Sequence, residues 1–277
     1  MRTSHTGSTS TSTGTRADSG ADPGIRTALV GGGAGGIGAA AAAALLRSGH
    51  RVVLAGRTRS ALAEAGSRLG GDRVDHLVCD LAEPAEAAAA ADEVRARHGA
   101  LDVLVLSAGG PAPGRVLEVS DAQWRTAMDL LLLGPLALMR AALPGMAARG
   151  FGRVVLITST AVRQPQPELA ASTVLRSAVT AAAKLASREY ADRGVTVNCV
   201  APGATLTPRR LQILQSRADA AGTDLATAAA EDQAEIPAGR SGDPDEVAAA
   251  IAFLASAEAS YINGTVLAVD GGRTETV

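Results

Sequence analysis

The sequence predicts an α/β fold: one doubly wound parallel sheet with helices on both faces. Three observations carry that expectation. From residue 25 onward, helical segments end in Gly and short β-branched runs follow, the alternation of a βαβ chain. Those runs are apolar at successive positions, so both faces of each strand must be covered. The series opens with Ala28-Leu-Val-Gly-Gly-Gly-Ala-Gly-Gly-Ile-Gly38 and an alanine-rich helical segment from Ala39 to Leu46.

Taken in order, residues 1–24 are rich in Ser, Thr and Gly and almost free of large apolar side chains, so they read as a disordered tail. They lack the hydrophobic stretch of a secretory leader. The folded domain is expected over 25–277. Gly49 precedes the run Arg51-Val-Val-Leu-Ala55, and Gly99 precedes Val103-Leu-Val-Leu106. Gly150 and Gly152 precede Arg153-Val-Val-Leu-Ile157, and Gly194 precedes Val195-Thr-Val-Asn-Cys-Val200. Gly is the common helix stop because it takes the left-handed conformation freely. Gly109, Gly110, Pro111, Pro113 and Gly114 mark a loop, and Ser120-x-x-Gln123 reads as a capping box opening a helix toward Ala148. Residues 204–243 break the alternation: they are polar, helical in pattern, and inserted between Pro202-Gly203 and a helix starting near Pro244. Insertions at the carboxyl end of a strand shape the ligand crevice of open α/β sheets, so this segment is expected to be a lid over a small-molecule substrate.

Composition excludes several classes. Apolar residues make up 47% of the 277-residue chain, charged residues 19%, and the net charge is −2. No basic surplus points to nucleic acid, and no charge run points to a membrane surface. No apolar run reaches about 18–20 residues, so no membrane-spanning helix is expected. Cytoplasmic localisation is the expectation. Cys79 and Cys199 sit in apolar strand-like runs and read as buried free thiols; no metal-ligand spacing exists.

A strand, a glycine loop and a helix in that order build a dinucleotide site, where glycines let the backbone approach a pyrophosphate that the helix N-terminus stabilises. Gly31, Gly33 and Gly36 fit G-x-G-x-x-G, and so do Gly33, Gly35 and Gly38; Gly32-x-x-x-Gly36-x-Gly38 is a third spacing. The second strand ends in Ala55-Gly-Arg57, with no carboxylate to bind a ribose 2′-hydroxyl. Gly56 leaves space and Arg57 supplies a guanidinium, which suits the 2′-phosphate of NADP(H) over NAD(H).

The third glycine spacing is that of the short-chain dehydrogenase/reductase family. The chain resembles that family over residues 25–272, nearest to 3-oxoacyl-carrier-protein reductase-like members. The resemblance implies a Rossmann-like fold with Gly32, Gly36, Ile37 and Gly38 at the cofactor. Asp80-Leu81 resembles the pair that touches the adenine. Ser107-Ala108-Gly109 resembles the Asn-Asn-Ala-Gly stretch, with Leu106 and Ser107 where the Asn residues stand. Asn198-Cys-Val-Ala-Pro-Gly203, which contributes Pro202 and Gly203 to the cofactor site, and Val269-Asp-Gly-Gly272 match closely. The resemblance also implies a homo-oligomer, tetramer or dimer, built on the long helices at about 120–148 and 171–192.

The family reduces carbonyls with an Asn, a Ser, a Tyr and a Lys; Tyr donates the proton and Lys lowers its pKa and holds the nicotinamide ribose. Ser159 matches the Ser. Thirteen residues later, at the Tyr position, stands Ser172, and four further on, at the Lys position, stands Arg176. The Asn position, seven after Trp124, is Leu131. No other register restores the set: the only Tyr residues are Tyr190 and Tyr261, and the only Lys, Lys184, has Thr180 four before it. Ser is a far weaker acid than Tyr, which titrates near ~10, and Arg stays charged to about 12. Ser159, Ser172 and Arg176 remain the candidate catalytic residues, with Arg176 also able to hold the ribose. Three functions fit. The first is an NADP(H)-dependent oxidoreductase with altered acid chemistry, acting on an imine, an enone or an activated carbonyl. The second is a non-redox cyclase, isomerase or dehydratase on the same fold. The third is a non-catalytic NADP(H)-binding protein.

Overall fold

The computed structural model of the protein describes residues 24–276, so the tail expected at 1–24 lies, Gly24 excepted, outside the described residues. The strands are β1 (Thr27–Gly31), β2 (Arg51–Gly56), β3 (Val74–Val78), β4 (Val103–Leu106), β5 (Gly152–Ile157), β6 (Val195–Pro202) and β7 (Val266–Val269). They form one seven-stranded sheet in the order β3-β2-β1-β4-β5-β6-β7. Every pairing is parallel. The strand order reverses between β1 and β4, and a crevice opens beyond the carboxyl ends of the strands there.

β1, β4, β5 and β6 are buried along their whole length, as their largely apolar runs lead one to expect, with Thr27, Arg153, Thr196 and Asn198 the buried polar exceptions. Two cores result. On one face α3 (Pro84–His98), α5 (Gly134–Ala148) and α6 (Ala170–Glu189) bring Val94, Leu138, Met146 and Val179 onto Leu29, Leu104 and Leu156. On the other, α1 (Gly36–Arg47), α2 (Arg59–Leu69) and α9 (Pro244–Ala255) bring Leu45, Leu62 and Ile251 onto Val30, Val52 and Val155. Cys79 and Cys199 are buried in the first core, where desolvation pushes their thiols up to about 11 and about 12, so both stay protonated and inert.

Three local departures from the sequence reading have physical causes. The helix expected to run unbroken from Ser120 toward Ala148 is α4 (Asp121–Met128), a π-helical turn (Asp129–Leu133) and α5. Pro135 has no N–H to return to the Leu131 carbonyl, which favours the wider turn. The Ser120–Gln123 capping box does open α4. The Asp121–Ala148 helix also contains an 18-residue window of mean hydropathy 1.6, long and apolar enough to cross a membrane by composition, which a search for unbroken apolar runs passes over. Half of that window is buried; Leu138, Met139, Leu143 and Met146 pack into the first core. Finally, β3 ends at Val78, so Cys79, Asp80 and Leu81 follow the strand instead of ending it. The Asp80 carboxylate accepts the Ala82 N–H at 2.9 Å and turns the chain out of the ladder.

The segment at 204–243 is helical as expected: α7 (Pro208–Ala221) and α8 (Leu225–Ala234) lie between β6 and α9. A bridge between Thr205 and Gly242 closes its base.

Candidate active site

The glycine loop links β1 to α1, and its geometry selects one of the three spacings. Gly32 and Gly36 hold φ of 63° and 54°, which side chains rarely adopt. A Cβ at Gly38 would lie 2.3 Å from the Gly32 carbonyl oxygen, so α1 starts in contact with the loop's own backbone. Gly35, the N-cap of α1, carries no side-chain cap, and a Cβ built on it meets nothing within 4 Å. The first amides of α1 therefore open on free space at the positive end of a helix dipole. These residues fit a pyrophosphate: close backbone, uncapped amides and open space at Gly35.

The other expected cofactor residues follow the ends of the strands. Arg57 is the first residue past β2 and is exposed, with no carboxylate partner among the described residues. Leu81 is buried; its side chain abuts Gly31, and its carbonyl lies so close to Gly134 that only glycine fits there. Ala108 and Gly109 follow β4 on the opposite side of the switch point. Gly203 follows β6 and packs against Asp270, whose Cβ is 2.6 Å from where a Gly203 Cβ would stand. Ile37, Pro202 and Gly203 line one crevice of about 140 Å³ together with Ser159.

Ser159 lies two residues past β5, where its Oγ accepts the Ala161 N–H at 3.1 Å and leaves its own O–H free to donate. Ser172 is in the first turn of α6, and its Oγ accepts the Arg176 Nε–H at 3.2 Å. Arg176 is only 9% exposed. Its Nη1 donates to the Ile157 carbonyl at 2.6 Å, and its Nη2 reaches the Ala108 and Gly109 carbonyls at 3.3 and 3.4 Å. The guanidinium thus ties α6 to the ends of β4 and β5. Burial, and then the Arg209 charge, push it down to about 10, still cationic at neutral pH. Leu131 is buried in the π turn against Ala127, Ala171 and Leu175, an apolar patch beside these groups.

The 204–243 segment and the chain beyond β7 supply groups that the sequence reading missed. Thr207 caps α7 and comes within 3.5 Å of a Cβ position on Gly36, so the segment touches the cradle. Arg209 reaches across to donate to the Pro111 carbonyl. Arg210 lines the crevice, pairs with Asp232 and leaves its buried Nε without a hydrogen-bond partner. Arg217 and Arg273 meet the other Asp232 oxygen at 3.0 and 2.8 Å. The local signals were Thr-Pro-Arg-Arg after β6 and an Arg after the Gly-Gly of residues 271–272; neither says where the side chains go.

A parallel sheet with a glycine cradle at its switch point defines a dinucleotide-binding protein of the doubly wound class. Comparison with known proteins narrows the class. A family model described as enoyl-(acyl carrier protein) reductase matches residues 32–274. D-threitol dehydrogenase of Mycolicibacterium smegmatis is 34% identical over 252 residues, spanning 90% of this chain and 93% of that protein. The 3-oxoacyl-[acyl-carrier-protein] reductase of Salmonella typhimurium is 31% identical, spanning 89% of this chain and 96% of that one. Among solved structures, L-sorbose reductase from Gluconobacter frateurii, complexed with NADPH and L-sorbose, superposes with a TM-score of 0.86 at 30% identity, covering 91% of this chain and 98% of its own. The chain belongs to the short-chain dehydrogenase/reductase family, near its 3-oxoacyl-carrier-protein reductase-like members.

Proposed function

We propose that the protein is an NADP(H)-dependent oxidoreductase that works without a Tyr–Lys acid pair, on a small molecule whose acceptor carbon is already activated: an imine, an enone or an activated carbonyl. The observation that carries this reading is the Ser172–Arg176 hydrogen bond beside a glycine cradle that fits a pyrophosphate. The relatives' NADPH complexes and the exposed Arg57 support NADP(H). Gly32, Gly36, Ile37, Gly38, Arg57, Asp80, Leu81, Ala108, Gly109, Pro202 and Gly203 are the residues proposed to hold it. When bound, the cofactor supplies or accepts a hydride.

The chain's own groups do the rest. Ser159 keeps a free O–H, and Arg176 occupies the Ser172 oxygen so that the Ser172 O–H also points elsewhere. Two hydroxyls can hold a substrate oxygen or nitrogen and steady the charge that develops on it. Neither releases its proton readily, because an alkyl hydroxyl is much less acidic than Tyr, which titrates near ~10. Arg176 is cationic and engaged by carbonyls, so it adds field but no proton relay. Such a site suits an iminium or an enone, which needs little acid assistance, better than a plain ketone.

The test is NADPH consumption with matched ketone, imine and enone panels, alongside product analysis. Turnover of imine or enone, weakened by Ser159→Ala, supports the reading. Product formed with no change in NADPH absorbance would establish a non-redox cyclase, isomerase or dehydratase instead. Tight NADPH binding with no product from any panel would establish a non-catalytic binder. A homo-oligomer is proposed through the exposed Met128, Leu133, Val174 and Leu185 on the two long helices, and light scattering would read it directly.

A further inference from the structure

The lid places two guanidiniums on the crevice, the chain beyond β7 adds a third, and no carboxylate lines it. Arg209, Arg210 and Arg273 line the space that Ser159 also lines. Asp232 orients two of them, but its side chain is only 2% exposed and stands behind the crevice wall. Glu235 meets Arg273 as well and lines the neighbouring cavity. Arg209 has no carboxylate partner among the described residues; its guanidinium donates to the Pro111 carbonyl and lies 3.1 Å from a Cβ position on Gly110. Arg210 is nine-tenths buried with its Nε unpartnered. Removing cations from water with fewer anions than cations around them is unfavourable unless a ligand supplies the missing charge.

The position of Arg273 sets it apart from the glycine cradle. The crevice continues into a cavity of about 530 Å³ through Thr160, Gln166 and Arg273, which line both. No residue of the glycine loop lines that second cavity, so Arg273, which lines both, marks the end of the crevice that leads away from the cradle. The chain's use of Arg for nearly every basic residue makes the choice of Arg over Lys uninformative here, but the number and placement of cations are not explained by that habit.

We propose that the substrate carries an anionic group, a carboxylate or a phosphate, received by Arg209, Arg210 and Arg273 while its reacting carbon lies toward Ser159. This inference rests on the oxidoreductase reading for the site but predicts a separate property of it. Arg210 and Arg273 are held in place by Asp232, and Arg209 closes over the anion from the start of α7.

Calorimetric titration of the full chain, alone and saturated with NADPH, tests it. The probes are phenylpyruvate against phenylpyruvamide, glycolaldehyde phosphate against glycolaldehyde, and inorganic phosphate. The charged member of at least one pair is expected to bind roughly tenfold or more tightly than its neutral partner. Arg209→Gln and Arg273→Gln should each remove most of that preference while NADPH affinity changes less than about threefold. Arg273→Lys, which keeps the charge on Asp232, should keep part of it and guards against loss through misfolding. Preference for a carboxylate pair or for the phosphate pair decides which anion the site takes. The proposal is overturned if no charged probe is favoured, if the preference survives both Gln variants, or if Arg209→Gln weakens NADPH as much as it weakens the acid, since the cation would then serve the cofactor. Failure of NADPH to bind would sink the cofactor reading alone, because acid-against-amide discrimination is still read on the unliganded chain.

Discussion

Two glycine-to-alanine substitutions, three residues apart on the same loop, should behave oppositely. At Gly38 the new methyl would stand 2.3 Å from the Gly32 carbonyl oxygen, 2.7 Å from its carbon and 3.2 Å from the Gly31 oxygen, all backbone atoms that no rotamer change can move. Overpacking of this kind costs about 1–3 kcal/mol. The loss of unfolded-chain freedom that accompanies Gly→Ala returns about 0.4–1 kcal/mol. Gly38→Ala is therefore expected to destabilise the protein by about 1–2 kcal/mol, with the start of α1 displaced and NADPH affinity reduced. At Gly35 the backbone is extended, at φ −165°, and the methyl meets nothing within 4 Å. Gly35→Ala should change stability by no more than about 0.5 kcal/mol, yet place a methyl where the pyrophosphate is proposed to sit. Urea unfolding of both variants and fluorescence titration with NADPH read the two effects separately. Wild-type NADPH affinity in Gly35→Ala would refute the assignment of that open space to a phosphate, and wild-type stability in Gly38→Ala would refute the close approach of α1 to the loop.

Further outcomes follow from groups outside the cradle. Asp232→Asn strips the countercharge from Arg210 and Arg273 and should cost about 3–5 kcal/mol of stability in urea unfolding, against almost nothing for the exposed Arg68–Glu64 pair. Arg176→Met keeps the apolar stem but frees the Ile157, Ala108 and Gly109 carbonyls; relief of the buried charge offsets part of the loss, leaving about 1–3 kcal/mol of destabilisation by the same assay. His50 is buried, its Nδ1 bonded to the Leu45 carbonyl and its Nε2 without a partner, and desolvation holds its imidazole below the ordinary value. The unfolded chain therefore takes up this proton first. Stability should fall as pH drops through about 6.5 toward the lower folded value, and His50→Gln should flatten the pH dependence of the urea midpoint in that window.

Much of the molecule was legible locally. Strands β2, β4, β5 and β6 lie within two residues of the apolar runs that announce them, because a strand covered on both faces is mostly apolar at successive positions. Helix stops at Gly99 and Gly194 carry the positive φ that makes Gly the residue of choice. The capping box at Ser120 stands at its helix start because the interaction spans three residues of chain. The π turn was not legible, since its cause is shared between Pro135 and the approach of Gly134 to Leu81, more than fifty residues earlier in the chain.

The candidate site divides along the same line. The glycine loop, Arg57 at the end of the second strand and the Ser172-x-x-x-Arg176 spacing are matters of residue type and short spacing, so they can be read from the chain alone. Which glycine spacing applies needed φ values and a carbonyl contact. The fate of Arg176 needed the fold: its carbonyl partners are 19, 68 and 67 positions away. Arg273 meets Asp232 across 41 positions, and Arg209 meets Pro111 across 98. Spacing reports neighbours along a helix or strand. Charges from separate loops are gathered only when the sheet brings the ends of its strands together and the 204–243 segment packs beside them.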